Sequence, residues 1–149
     1  MTSTDALVRE LHDRALISEL LLRFARALDE RDWNGYAALY ADDGVLQLPW
    51  GPPRPKAILV EDTEANLGRF AATQHISSNH QIRIEGDDAT SRSYLQAVHV
   101  VDPDAADGLW TLGGWYDCSY RRTPEGWRFT RVAITPVWQS GRPPDWAGD

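Results

Sequence analysis

The second half of the chain alternates between apolar and polar residues in four segments, and this pattern limits the possible folds more than any other feature. The segments cover about 76–85, 89–101, 109–122 and 127–138. Gly, Asp and Pro are common in the connections between them, and short turns of this kind join antiparallel neighbours. We therefore expect a four-stranded antiparallel meander.

The first half of the chain has mainly helical spacing. Apolar residues recur every three or four positions from about residue 5 to 30, which predicts one long helix capped by Thr4 or Asp5. A second, short helix should begin after Asp32 and end at the turn sequence Asp42-Asp43-Gly44. A third helix is expected over about 56–70.

Two segments between the second and third helices are not helical. Residues 45–48 predict a short strand. Residues 49–55 contain three prolines within four positions, so we expect an irregular loop that folds over a cavity mouth. Helices on one face of a curved sheet give an α+β fold around a conical pocket. The length suits one domain over 1–149, with an irregular tail from about 139.

Charge and composition narrow the possible partners. The formal net charge is −7 and the basic residues are scattered, which argues against nucleic acid. No apolar run approaches the ~20 residues that span a bilayer, and the N-terminus has no signal-peptide pattern. The single cysteine, Cys118, fits a reducing cytoplasm. Seven Trp and five Tyr suit an apolar pocket for a small hydrophobic molecule, or an interface.

Alternation along the predicted strands identifies their inner faces. In 89–101, the odd-numbered face is smaller and less charged at its centre than the other face, so we assign it to the interior. This places His99 inside, next to Leu95 and Ala97. In 109–122, we favour the even-numbered face as the inner one, with the members Leu112, Gly114, Tyr116 and Cys118.

His75, His99 and Asp29 are candidates for a common site. His75 lies where the third helix ends and the sheet begins, and Asp29 ends the first helix. A carboxylate that holds an imidazole fixes its tautomer and suits it to acid/base work near neutral pH. The alternative is that Asp29, in a run of four charged residues, is solvated and that His75 is a surface residue. The sequence pattern alone leaves both interpretations open.

Several short motifs resemble the SnoaL-like branch of the nuclear transport factor 2-like superfamily, in particular the scytalone dehydratase and lindane dehydrochlorinase families. Residues 28–33 are similar to the end of the first helix, where Asp29 matches an Asp that pairs with the catalytic His. Thr73-Gln74-His75 resembles the segment that carries that His, and His99 matches a second active-site His. Residues 125–129 are similar to a turn and strand common in the superfamily.

The chain also departs from those families. Leu28 and Leu48 stand where scytalone dehydratases have two tyrosines that hold a water against the substrate carbonyl, and Tyr116 stands in place of an Asn. The carbonyl-polarising part is therefore absent, or rebuilt with Tyr40 or Tyr116. Arg131 is one position out of register with an arginine of the dehydrochlorinases, and Val132 takes its place.

The resemblance implies a cone-shaped α+β fold, with three N-terminal helices on a curved antiparallel or mixed sheet. It also implies a cofactor-free and metal-free lyase of the dehydratase type, acting on a small hydrophobic cyclic substrate in a closed pocket. His75 would be the general base, Asp29 would hold it, and His99 would assist the departing hydroxyl as acid or hydrogen-bond donor. Candidates for substrate binding are Trp33, Tyr36, Tyr40, Leu48, Leu95, Ala97, Tyr116 and Val132.

Two other functions remain open from the sequence. An isomerase or polyketide cyclase on the same fold would also remove a proton beside a carbonyl. A non-catalytic ligand-binding or assembly module would need no chemistry at all. The apolar outer face of the sheet favours a homodimer or homotrimer in either case.

Overall fold

The computed structural model describes residues 3–146 and contains the three expected helices. They are α1 (Thr4–Asp29), α2 (Trp33–Ala38) and α3 (Leu59–Leu67), the last preceded by a 3-10 turn over Lys56–Ile58. Ser3, rather than Thr4 or Asp5, caps α1 by accepting a hydrogen bond from the backbone of Ala6. Asp32 caps α2 as expected. Within the described residues, no helix is long and apolar enough to cross a membrane.

Six strands form one mixed sheet in the order β2-β1-β6-β5-β4-β3. The strands are β1 (Tyr40–Gln47), β2 (Arg54–Pro55), β3 (Ala72–Glu85), β4 (Asp88–Val100), β5 (Leu109–Thr123) and β6 (Gly126–Gly141). The last four form the predicted antiparallel meander. β1 joins β6 in parallel, and the helices pack on the sheet, so the predicted α+β fold is confirmed.

The structure corrects two boundaries around β1. The segment Asp42-Asp43-Gly44, predicted to be a turn, lies inside the strand. Tyr40 and Val45, on either side of this segment, both pair with β6. The strand register shifts between them, so the turn residues form an irregularity within β1. Part of the proline-rich segment also has regular structure, since β2 pairs with β1 at the sheet edge. An edge strand tolerates proline, which lacks the amide proton.

Three further boundaries differ by a few residues from the predictions. α3 ends at Leu67 instead of about 70. β3 begins at Ala72 instead of 76 because its first residues pair with the end of β4. β6 continues to Gly141, which pairs with the start of β5, so the irregular tail begins later than 139. Long-range pairing sets each of these ends.

The core lies between α1 and the inner face of the sheet. α1 buries Ile17, Leu21, Phe24 and Leu28 on one side, and each such side chain contributes about 1.5–3 kcal/mol of burial free energy. The assigned inner faces of β4 and β5 are confirmed, because their alternate residues are buried. α1 therefore lies across the sheet, and its C-terminal end comes close to β3.

A buried ion pair anchors the N-terminal half of α1. Asp13 is 3% exposed and accepts two hydrogen bonds from Arg122, at 2.7 and 2.8 Å. Trp127 donates its indole proton to the same carboxylate at 3.1 Å. These contacts tie α1 to β5 and β6 at Asp13.

Candidate active site

A cavity of about 150 Å³ lies between the helices and the inner face of the sheet. Most of its wall is apolar, and each helix and each strand contributes to it. The apolar lining residues include Leu28, Leu46, Leu48, Leu67, Phe70, Leu95, Ala97, Leu112 and Ile134. An apolar cavity of about this volume accommodates one six-membered aromatic ring, which sets the size of a matching ligand.

His75 lines this cavity and also contacts Asp29. The Nδ1 atom of His75 lies 2.7 Å from Oδ1 of Asp29, and its backbone N–H donates to Oδ2 at 2.8 Å. Thr73 donates its hydroxyl proton to the same carboxylate at 2.9 Å. The side chain of His75 is 7% exposed and that of Asp29 is 25% exposed. Asp29 is therefore engaged by β3, which excludes the solvated alternative.

Arg31 explains how the end of α1 reaches β3. Its φ is 61°, a left-handed conformation that ends the helix at once. Its guanidinium donates to the carbonyl oxygens of Phe70 and Ala71, and to that of Gly68. These bonds hold the α3–β3 connection beside Asp29. The charged run thus contains both the carboxylate of the site and the arginine that anchors it.

The electrostatics of the pair set the tautomer of His75. Burial alone would raise the pKa of Asp29, but the hydrogen bonds from His75 and Thr73 outweigh it and hold the pKa below its usual value. Asp29 is then a carboxylate at neutral pH and accepts the Nδ1 proton of His75. The Nε2 atom of neutral His75 carries a lone pair, and it has no hydrogen-bond partner within residues 3–146.

His99 is the second histidine of the cavity wall, and it is 4% exposed. Its Nδ1 lies 3.2 Å from the carbonyl oxygen of Trp110, so Nδ1 carries the proton and Nε2 is an acceptor. Its ring lies 5.8 Å from that of His75, nearly perpendicular to it. Burial, with the neighbouring His75, lowers the pKa of His99 to about 4. His99 is therefore neutral at pH 7.

Only some of the residues predicted to bind the substrate line the cavity. Tyr36, Leu48, Leu95 and Ala97 line it, whereas Trp33, Tyr40, Tyr116 and Val132 do not. The inner face of the sheet extends beyond the cavity, and α1 covers the remainder. Tyr116, for example, packs edge-on against Phe24 at 5.5 Å. Tyr40 and Val132 are buried in the same core, and Trp33 packs on its margin.

Several aromatic residues of the site were missing from the sequence-based prediction. Phe70 and Trp110 pack on His99 with ring centroids 4.6 and 4.9 Å away. Trp146 lies 4.7 Å from Phe70 and lines the cavity. Extending the inner face of β5 by two residues would have found Trp110, whereas the irregular tail offers no periodic signal for Trp146. Arg131 is exposed and lies outside the cavity lining.

Solved structures of other proteins share this fold. A protein from Novosphingobium aromaticivorans, provisionally assigned as a scytalone dehydratase, superposes with a TM-score of 0.79 at 20% identity, over 94% of this chain and 92% of that one. A type 2 hexachlorocyclohexane dehydrochlorinase, LinA, superposes with a TM-score of 0.78 at 16% identity, over 91% and 93%. At these identities the likeness shows the fold alone.

Sequence similarity identifies the family. The uncharacterized protein Rv2910c of Mycobacterium tuberculosis is 30% identical over 138 residues, which cover 89% of this chain and 90% of that protein. The SnoaL-like domain family matches residues 9–133. The resemblance inferred from the motifs is thereby confirmed: the chain belongs to the SnoaL-like domain family, within the nuclear transport factor 2-like superfamily.

Proposed function

We propose that this protein is a cofactor-free acid/base lyase of the dehydratase type, which acts on a small apolar cyclic compound. One observation carries the proposal. His75 is held by a carboxylate at 2.7 Å through Nδ1 and lines an apolar cavity of single-ring size. An imidazole that is oriented in this way, in a site with few competing polar groups, is suited to remove a proton from a bound ligand.

In the proposed reaction, Nε2 of His75 takes a proton from the carbon beside the one that bears the leaving group. Asp29 keeps the other ring nitrogen protonated and stabilises the imidazolium that forms. General-base help of this kind contributes about 10²–10⁴-fold in rate. The apolar wall excludes water, which strengthens the electrostatic interaction between Asp29 and the imidazolium.

The structure changes the role that we propose for His99. A neutral ring that donates through Nδ1 is an acceptor at Nε2, so His99 suits the binding of a substrate hydroxyl better than the donation of a proton. His75 would then return the proton it has taken to the departing hydroxyl, which leaves as water. One residue serves in turn as base and acid, and both of its transfers occur on the same face of the substrate.

The fold neighbours support this class of reaction. A dehydratase removes water and a dehydrochlorinase removes hydrogen chloride, and each reaction requires loss of a proton and of a leaving group. Both neighbours carry such names on this fold. For this chain the comparison adds support to the argument from Asp29 and His75, whose contact carries the proposal.

An isomerase is the second candidate, and the position of His99 favours it. Two imidazoles with ring centroids 5.8 Å apart could remove a proton from one carbon and return it to another. The products distinguish the two reactions, because an isomerase releases no water and leaves the formula of its substrate unchanged.

The experiment is proton NMR in D₂O with a panel of single-ring alcohols and ketones. The lyase proposal expects loss of water, together with exchange of the C–H proton, in the wild-type protein. His75→Gln and Asp29→Asn should both abolish or strongly reduce the reaction. His12→Gln and Asp104→Asn are matched controls at exposed positions.

Three results of this experiment would count against the proposal. Full activity of His75→Gln would remove the base from the mechanism. Rearrangement without loss of water would establish the isomerase instead. Tight binding of ring compounds, without exchange or turnover of any of them, would favour a non-catalytic binding module.

A further inference from the structure

The cavity opens to the surface beside the proline-rich segment that connects β1 to α3. Pro49, Trp50 and Arg54 of this segment line the cavity, and Trp50 is 44% exposed. Asn66, an exposed residue of α3, lines the same opening. A ligand that fills the apolar part of the cavity therefore meets this segment at the mouth.

Arg54 gives the cavity wall its permanent charge. Within residues 3–146, the lining contains no aspartate, no glutamate, no lysine and no second arginine. A guanidinium stays protonated in proteins, and it attracts an opposite charge more strongly beside an apolar wall than in water. The chain as a whole has a formal net charge of −7, so this attraction for an anion is local to the cavity.

The guanidinium of Arg54 has donors to offer a ligand. Its side chain is 19% exposed, and its Nη1 atom lies 3.0 Å from a carboxylate oxygen of Asp62. In the described part of the chain, Arg54 makes this ion pair and no well-aligned hydrogen bond. A guanidinium has five N–H donors in a planar fork. Asp62 thus holds Arg54 at the mouth by its charge and leaves most of the fork for another acceptor.

We propose that Arg54 binds a carboxylate of the substrate, and that the substrate is a single-ring carboxylic acid. This inference rests on the proposed lyase function and names the substrate class of the same site. A carboxylate matches the guanidinium fork and accepts two parallel hydrogen bonds from it. The ring, which is the apolar part of the substrate, fills the cavity against His75. The carboxylate lies at the mouth and is separate from the bond that breaks.

Two other cations are less well placed to bind this group. Lys56 pairs with Asp42 at 3.0 Å and lies outside the cavity lining. Arg69 is exposed and stacks on Trp146, with its guanidinium carbon 3.9 Å from the ring centroid. Because Trp146 lines the cavity, Arg69 is the alternative cation that an experiment has to exclude.

A purely structural ion pair is the other explanation of the contact between Arg54 and Asp62. The pair connects the proline-rich segment to α3, and its loss could loosen the wall. Such a change would weaken charged and neutral ligands by the same factor, because both contact the same wall. The readout is therefore the charge preference, which is the ratio of the dissociation constants of a neutral ligand and a charged ligand of the same shape.

The test compares cyclohexanecarboxylate with cyclohexanecarboxamide, which has nearly the same shape and no charge. Both dissociation constants are measured near neutral pH by NMR titration of the tryptophan indole signals. In the wild-type protein the carboxylate should bind about 10–100-fold more tightly, the equivalent of a hydrogen bond to a charged group. Arg54→Met should abolish this preference. Arg54→Lys should keep part of it, because an ammonium retains the charge and loses the fork.

Substitution of Asp62 should change the preference in the opposite direction. Asp62→Asn removes the carboxylate that competes for Arg54, so the preference should rise about two- to fivefold, the equivalent of a partly exposed ion pair. Arg69→Met and Arg131→Met, both at exposed positions, should retain the wild-type preference. Unfolding in urea shows that each variant is folded.

Three results of these titrations would overturn the inference. The first is equal affinity for the two ligands in the wild-type protein, and the second is measurable binding of neither. The third is a preference that survives in Arg54→Met and disappears in Arg69→Met, which would assign the carboxylate to Arg69.

Turnover separates the failure of this inference from the failure of the proposed function. The lyase assay is repeated with ring alcohols that carry or lack a carboxylate. Loss of water from both kinds with equal kcat/KM overturns the carboxylate site while the lyase function stands. A binding preference that depends on Arg54, in a protein that eliminates water from neither kind, supports the carboxylate site and refutes the elimination.

Discussion

Acidification should destabilise this protein through His99, and the structure sets the size and the sign of the effect. His99 is buried against Phe70 and Trp110, and its pKa is about 4 in the folded state against an ordinary value of 6.5. Above about pH 6.5 the His99 ring is neutral in both the folded and the unfolded protein, so the protonation of His99 does not change the unfolding free energy. Below about pH 6.5, the unfolded chain binds a proton at His99 that the folded protein does not bind. The unfolding free energy therefore falls as the pH drops.

The magnitude follows from the two pKa values. One pKa unit corresponds to ~1.4 kcal/mol, so the fall from 6.5 to about 4 corresponds to a loss of about 3 kcal/mol. The loss is complete once the pH has passed through the folded pKa. Asp29 contributes in a different window, because its pKa is already below 3.8. Its stabilisation is present above that value and is lost only as the pH falls through its lower, folded pKa.

Urea unfolding, followed by tryptophan fluorescence at several pH values between about 7 and 4, measures this loss. His99→Gln is the comparison, because glutamine does not titrate, and its unfolding free energy should change less over the same range by about 3 kcal/mol. Parallel curves for the two proteins would refute the reasoning. A titration of the His99 ring near 6.5 in NMR spectra of the folded protein would refute it as well.

Three further predictions concern other parts of the molecule. Asp29→Asn should lower kcat by about 10²–10⁴, because an amide can place the ring proton on the wrong nitrogen; a loss below about threefold would exclude the pairing from the mechanism. Arg122→Met should lower the unfolding free energy in urea by about 3 kcal/mol, because it leaves the buried Asp13 charge unpaired; Arg131→Met is the exposed control, and equal stabilities would contradict the prediction. Ala97 is the cross-strand neighbour of His75, and Ala97→Leu should fill part of the cavity and weaken the binding of cyclohexanone at least about tenfold in calorimetry. Ala38→Leu, at an exposed position, should leave the affinity unchanged. Unchanged affinity in Ala97→Leu would place the ligand elsewhere.

The local pattern of residues was enough to predict the class of fold. A period of two over the last four strands and a helical period over α1 each report which residues are buried, and burial is a local signal along the chain. The inner face of β4, with His99, followed from the same alternation. The motifs around Asp29 and His75 indicated the family because they combine residue types that a core does not require.

Contacts between distant segments were decided only by the tertiary structure. Asp29 and His75 are 46 positions apart, and their contact depends on the left-handed turn at Arg31 and on the crossing of α1 over β3. The parallel pairing of β1 with β6 overrides a turn sequence at 42–44. Pairing energy between strands outweighs local turn preference, so such boundaries cannot be read from the segment itself.

The sequence also could not predict which residues line the cavity. Tyr36 and Tyr40 are four positions apart and both are fully buried, yet Tyr36 meets the cavity and Tyr40 lies behind it. Alternation tells which side chains point inward. It does not tell where packing is complete and where a space remains, because that depends on the volumes of side chains from several elements at once. The same reason places Trp146, from an irregular tail, beside the site.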